Sequence, residues 1–262
     1  MRNVLKKFLF ILPALLPLVS PAALSAQALK TFPGDSLRET GRVFTAPLRL
    51  TTGGAELAGA IAAAGLLVYS QDGQIRRLAS RNKSSSADGV FNTLEKFGNG
   101  GYEAAFLLAY GGAGRLAGDG YMQGTAVLAA ESFLAANAAG TLLKYAVGRS
   151  RPYTGDGKRR FVPFGFKSSG TSFPSGHTMS AFSVASVFAA RADSNWVKVL
   201  SYALASGVAA QRIYADKHWA SDVLAGAAIG TLVGRDVAGG GGRNSALTLL
   251  PSPGGLALAC KF

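Results

Sequence analysis

"MQGTAVLAAESFLAANAAGTLLKYAVGRSRP", residues 122–152, contains the longest Ala-, Gly- and Leu-rich run of the chain, and its reading decides the fold. We read a helix over 122–148. Small residues let helices approach closely in water and in lipid alike, so composition does not say which solvent it meets. Glu131 and Asn137 interrupt the run, which favours a helical bundle that is not deeply inserted. Most other apolar runs reach only about 11 to 16 residues, against the roughly 20 that a bilayer crossing needs.

Working outward, the same texture recurs at about 55–69, 101–115, 176–191, 195–210 and 219–234, giving an all-α bundle of about six main helices. Residues 29–54 are mixed and turn-rich, with "FPGDS" as a breaker, and read as an irregular lead-in. A glycine run at 239–242 reads as a linker to the tail 239–262, where two short apolar runs flank Pro251 to Gly255 in the manner of a β-hairpin. Residues 1–28 carry a basic flank at Arg2, Lys6 and Lys7, a short apolar run and a small-residue A-x-A ending at Ala28, the pattern of an export signal. The alternative is an uncleaved anchor, against which Pro13, Pro17 and Pro21 argue. The expected organisation is therefore signal 1–28, lead-in 29–54, helical domain 55–238 and tail 239–262.

The 262-residue chain is 48% hydrophobic, enough for a substantial core, and carries a formal net charge of +13. Loss of residues 1–28 would leave it strongly basic. With export, that charge points to phosphorylated small molecules or anionic lipid surfaces rather than to nucleic acid. Cys260 is the single cysteine, so no intramolecular disulfide and no cysteine metal cluster is available.

Three stretches carry chemistry. In "KYAVGRSRP", Lys144 and Arg151 are two helical turns apart, so on a continuous helix their heads fall within about 20° of one line, with Gly148 leaving room between. Such a pair suits a phosphate, and equally a solvated basic face. In "FPSGHTMSAF", a breaker precedes a helical run, so backbone N–H groups near Ser175 and Gly176 offer an anion seat and His177 begins the helix. Capping alone explains the serine and glycine but not the histidine. In "RIYADKHWASD", residues 212–222, His218 and Asp222 share a face if the segment is helical. The carboxylate then accepts from one ring nitrogen and leaves the other as nucleophile or base, the alternative being a surface pair capping a helix.

Taken together and in this order, the three motifs resemble the type 2 phosphatidic acid phosphatase superfamily, which includes class A acid phosphatases and vanadium haloperoxidases. The matches to K-x6-RP, PSGH and SR-x5-H-x3-D run from Lys144 to Pro152, Pro174 to His177 and Arg212 to Asp222, within a motif core of 122–235. One departure stands out: Gln211 occupies the position where the pattern has serine. The resemblance implies hydrolysis of a phosphomonoester or a lipid (pyro)phosphate through a phosphohistidine. His218 would attack with Asp222 holding it, while Lys144, Arg151, Arg212 and the amides near Ser175 and Gly176 bind the phosphoryl oxygens. His177 would serve the leaving group and then the water. No metal or other cofactor is implied, because three fixed cations take that part.

The implied setting is the periplasm or cell envelope, with membrane association left open and the active site outside the cytoplasm; the oligomeric state is not indicated. A vanadate-dependent haloperoxidase and a nonenzymatic envelope protein binding phosphate or headgroups are the competing readings. Among neighbouring residues, Asp216 reads as a structural partner of Arg212 and Trp219 as packing. Lys158, Arg159, Arg160 and Lys167 read as either solvated surface or gatherers of anionic substrate.

Overall fold

The computed structural model describes residues 52–239 apart from 166, together with 247–252 and 255–260. The expected export segment and nearly all of the lead-in lie outside the described residues, as does most of the linker. Seven helices are described: α1 (Thr52–Arg81), α2 (Ser85–Lys96), α3 (Gly100–Ala117), α4 (Gly120–Val147), α5 (Gly176–Arg191), α6 (Asn195–Tyr214) and α7 (Ala220–Ala238). β1 (Leu247–Ser252) and β2 (Gly255–Cys260) pair antiparallel, Leu247 opposite Cys260.

The fold is all-α, with one helix more than the six expected. α1 runs past residue 69 to Arg81, and α2 occupies a stretch that reads as a break. The physical reason is that α2 is only 12 residues long, has few apolar residues and buries none of them fully. Its support includes a cap and contacts with α6. Ser84 accepts from the N–H of Ala87, Phe91 stacks on Tyr214 with ring centroids 4.3 Å apart, and Leu94 packs where Gly207 of α6 has no side chain.

Helix ends elsewhere follow local chemistry. Asn99 caps α3 through the N–H of Gly101, and Asp119 caps α4 through Tyr121 and Met122. Gly118 and Gly148 close α3 and α4 with φ of +69° and +62°, the left-handed region where glycine is unstrained.

α5 is the central helix, packed against α4, α6 and α7. Its closest neighbour is α7, whose Gly226, Gly230 and Gly234 recur every four residues and face Thr178, Met179, Ser183 and Ser186. A side chain at any of the three would run into α5 backbone, so the stripe sets how near the two axes come. Gly140 of α4 likewise receives Met179. At one end of the bundle Arg191 ties α5 to α4, donating from Nε to Thr125 at 2.7 Å while its carbonyl accepts from Tyr121 at 2.8 Å. The other end carries the three motifs.

Among the described residues, α4 is the one helix long and apolar enough to cross a membrane, and half of its apolar window is buried within the fold. Asn137, the polar interruption in that helix, turns into the bundle and donates to Ser180 Oγ at 2.7 Å and to the Phe133 carbonyl at 2.8 Å.

Candidate active site

The last turns of α2, α4 and α6, the first turns of α5 and α7, and the loop between α4 and α5 meet at one end of the bundle. Lys144 sits in the final turn of α4 and donates from Nζ to the carbonyls of Thr171, at 3.2 Å, and of Pro174. Arg151 donates from Nε to the Ser168 carbonyl at 3.2 Å and from Nη2 to Thr171 Oγ1 at 3.4 Å. The two cations thus converge at Thr171, though not along a helical stripe. α4 ends at Val147, Gly148 turns the chain, and Arg151 is extended at φ −76°, ψ 153°. Gly148 serves the turn and the close approach of the Val162 carbonyl rather than opening space between two side chains.

Ser175 is the buried N-cap of α5, but its hydroxyl makes no cap bond; it accepts from Thr178 Oγ1 at 2.9 Å. Its N–H donates to the Asp222 carbonyl at 3.0 Å, tying the start of α5 to the start of α7. That amide is spoken for, which corrects its expected part in an anion seat. Gly176 abuts Lys144, where an added methyl would stand 3.4 Å from Cε. His177 is in the first turn of α5, its side chain 31% exposed. Burial and the neighbouring Arg212, with Lys144 and Arg151, push its ring down to about 4, against the opposing pull of Glu95.

His218 is fully buried in the bend before α7, not on a helix as its spacing from Asp222 suggested. Its Nδ1 lies 2.7 Å from the Ser172 carbonyl and 3.9 Å from Asp222 Oδ2. A carbonyl only accepts, so Nδ1 carries the proton and Nε2 the lone pair. The tautomer is the one expected, but a peptide oxygen holds it. Asp222 is otherwise engaged: it accepts from Ser172 Oγ at 2.5 Å, from the Trp219 N–H at 2.9 Å and from Arg149 Nη1 at 2.6 Å. It closes the first turn of α7 as much as it faces the histidine. Burial, and then Lys144, Arg151 and Arg212, hold the His218 ring well below its ordinary 6.5. The same three cations therefore bear on both imidazoles.

Arg212, in the last turn of α6, donates from Nη1 to Glu95 Oε1 at 2.7 Å, while its buried Nε has no partner among the described residues. Gln211 Nε2 lies 3.5 Å from Glu95 Oε2, so the residue in the serine position supports that carboxylate. Asp216 pairs with Arg76 of α1 through two 2.7 Å bonds, correcting the expected pairing with Arg212. Trp219 packs as expected and donates its indole N–H to the Ser150 carbonyl at 2.9 Å. Lys158 is tied to the carbonyls of Tyr69 and Ser70 at 3.0 and 2.8 Å, so it braces α1 rather than gathering anions. Among the described residues no group of three or more His, Cys, Asp or Glu side chains is placed to hold a metal ion.

Four residues that the motif reading passed over complete the site. Arg149 is buried and bridges Asp222 to Asp72 of α1, donating to the latter at 2.7 Å. Its guanidinium also lies 4.9 Å from the Tyr69 ring and 5.4 Å from Trp219. Asp72 accepts as well from the N–H and hydroxyl of Ser221, at 2.9 and 2.7 Å. Ser172 joins His218 to Asp222, and Glu95 joins Arg212 to His177, whose Nε2 is 3.9 Å away. Arg149 lies inside a quoted motif and was legible there. Asp72 and Glu95 lie on helices without any local signal, and only the packing of α1 and α2 brings them in.

An all-α bundle that gathers two histidines, three cations and a buried carboxylate at one end defines a class, and the sequence model of the PAP2 superfamily matches residues 125–238. A lipid A 1-phosphatase of Porphyromonas gingivalis is 43% identical over 93 residues, which are 35% of this chain and 18% of that protein's length. Among solved structures, a transmembrane PAP2 type phosphatidylglycerolphosphate phosphatase from Bacillus subtilis aligns with a TM-score of 0.54 and 22% identity, over 69% of this chain and 93% of that one. Aquifex aeolicus LpxE aligns at 0.47 and 22%, over 63% and 92%. The Bacillus subtilis structure shares the fold.

Proposed function

We propose that this protein is a phosphatase acting on a phosphate monoester of the lipid phosphate class, through a phosphohistidine and without a metal. The observation that carries the reading is that Lys144 and Arg151 converge on Thr171, Arg212 and His177 meet at Glu95, and His218 is held by neighbouring Ser172, all at one end of the bundle. Three cations at one place will hold the non-bridging oxygens of a phosphoryl group. His218, with Nδ1–H held by Ser172, attacks phosphorus from Nε2 as the ester oxygen departs. His177 gives that oxygen a proton, then takes one from the water that splits the N–P bond and frees inorganic phosphate. Burial and the three cations favour the neutral form of His177. A bound dianion offsets the three cations and restores its affinity for a proton.

The lipid class is supported by the lipid A 1-phosphatase relative. It is in keeping with the exposure of Leu66 and Leu67 on α1, Leu116 on α3 and Trp196 on α6, large apolar side chains available for membrane contact. We take 55–238 as the catalytic unit and 1–28 as an export signal that puts it in the cell envelope, with 239–262 as an appended tail.

The test is phosphate release from a short-chain lipid phosphate by the purified protein in the presence of a chelator. Turnover that His218→Ala abolishes is expected, with vanadate as an inhibitor. Full activity in His218→Ala, or activity restored only by a divalent ion, overturns the mechanism.

A further inference from the structure

We propose that Glu95 is a resident counter-anion of the phosphate seat: it steadies Arg212 while its charge weakens the hold on phosphate, so that product leaves. The inference rests on the hydrolase reading above and concerns a residue outside the PAP2-matching segment 125–238.

The placement is specific. Glu95 is in the last turn of α2, and its Oε1 accepts from Arg212 Nη1 at 2.7 Å and stands 3.9 Å from His177 Nε2. Gln211 supports its second oxygen at 3.5 Å. Arg212, Lys217 and His177 all act to keep the carboxyl ionised, the hydrogen bond from Arg212 foremost. Arg212 has only 5% of its side chain exposed, and among the described residues its Nε has no partner. A guanidinium that gives one terminal nitrogen to Glu95 keeps further N–H donors for an oxyanion. A phosphate held by Arg212 therefore shares that guanidinium with a like charge.

Its setting differs from that of the other two carboxylates near the site. Asp72 and Asp222 have none of their side chains exposed and answer Arg149. Glu95 is 39% exposed and answers Arg212, one of the three cations assigned above to the phosphoryl oxygens. Three cations around a small dianion bind it tightly after hydrolysis as well as before, and tight product binding slows turnover. One opposing charge at the rim offsets part of that hold.

Glu95→Gln isolates the charge, because the amide oxygen still accepts from Arg212. Inorganic phosphate binding is measured by titration calorimetry on the wild type and the variant, alongside phosphate inhibition of ester hydrolysis. The expected result is binding about tenfold tighter in Glu95→Gln, with product inhibition stronger by the same factor. Glu95→Asp, which keeps the charge, should stay closer to the wild type than Glu95→Gln does. A structural defect would weaken binding, not strengthen it, so unchanged or weaker phosphate affinity in Glu95→Gln overturns the proposal. If wild type hydrolyses the ester and the variant's phosphate affinity is unchanged, the carboxylate's role fails alone. If the variant binds phosphate more tightly but wild type hydrolyses no ester, the hydrolase reading fails alone.

Discussion

His218 Nδ1 donates to the carbonyl of Ser172 at 2.7 Å, and the Asp222 carboxylate stands farther from the same nitrogen, at 3.9 Å. A peptide oxygen therefore fixes the tautomer, and Asp222 contributes charge and the position of Ser172. Asp222→Asn should accordingly keep turnover well above the His218→Ala background, with a loss on the order of 100-fold in kcat and little change in KM. Ser172→Ala removes a hydroxyl but keeps the carbonyl, and should lose less, about tenfold. An Asp222→Asn protein as inactive as His218→Ala would mean that the carboxylate itself holds the ring during catalysis.

Arg149 lies between Asp72 and Asp222, with all three side chains removed from water. Replacing one member leaves a buried charge unanswered. Asp72→Asn or Arg149→Leu should each cost about 3 to 5 kcal/mol of folding stability, read as a fall in urea midpoint at neutral pH. Arg149→Lys should not rescue, since an ammonium cannot span both carboxylates and lie flat among Tyr69 and Trp219. A loss under about 1 kcal/mol, typical of a surface pair, would contradict burial of the network.

The α7 glycine stripe makes a paired prediction. Gly230→Ala puts a methyl against the backbone of α5 at Met179 and should cost about 1 to 3 kcal/mol by thermal unfolding. Gly59→Ala on α1, where a methyl meets nothing within 4 Å, should be neutral or stabilising by up to about 1 kcal/mol. Equal effects at the two positions would show that the α5–α7 contact is looser than described.

The histidines make stability depend on pH. His177 titrates at about 4 in the fold and near 6.5 when unfolded, so between these values the unfolded chain binds the extra proton. Its contribution is complete above 6.5 and drains away as pH falls toward 4. Buried Glu103, pushed well above its ordinary 4.5, acts in the opposite sense, so the measurement is the difference between wild type and His177→Gln. That difference should shift against the wild type between pH 7 and pH 4.5, and saturating phosphate should reduce the shift. A difference that does not move with pH would mean the ring stays solvated.

Much of the site was legible before any coordinates, because its three motifs are contiguous stretches of chain. Lys144, Arg151, His177, Arg212, His218 and Asp222 do gather at one end of the bundle. Helical spacing would align Lys144 with Arg151 and His218 with Asp222, yet Arg151 follows a glycine turn and His218 precedes the first turn of α7. The helices end just there: α4 stops at Val147 and α7 starts at Ala220.

The amino-acid order alone determined the helical class, the three chemical motifs and the strong positive charge, all of which follow from composition and short-range spacing. Tertiary structure decided which carboxylate answers which cation. Arg149 reaches Asp72 across 77 positions of chain and Arg212 reaches Glu95 across 117, separations at which no local periodicity operates. Those pairings exist because α1 and α2 dock on the motif core, and docking is a property of packed surfaces rather than of any one segment.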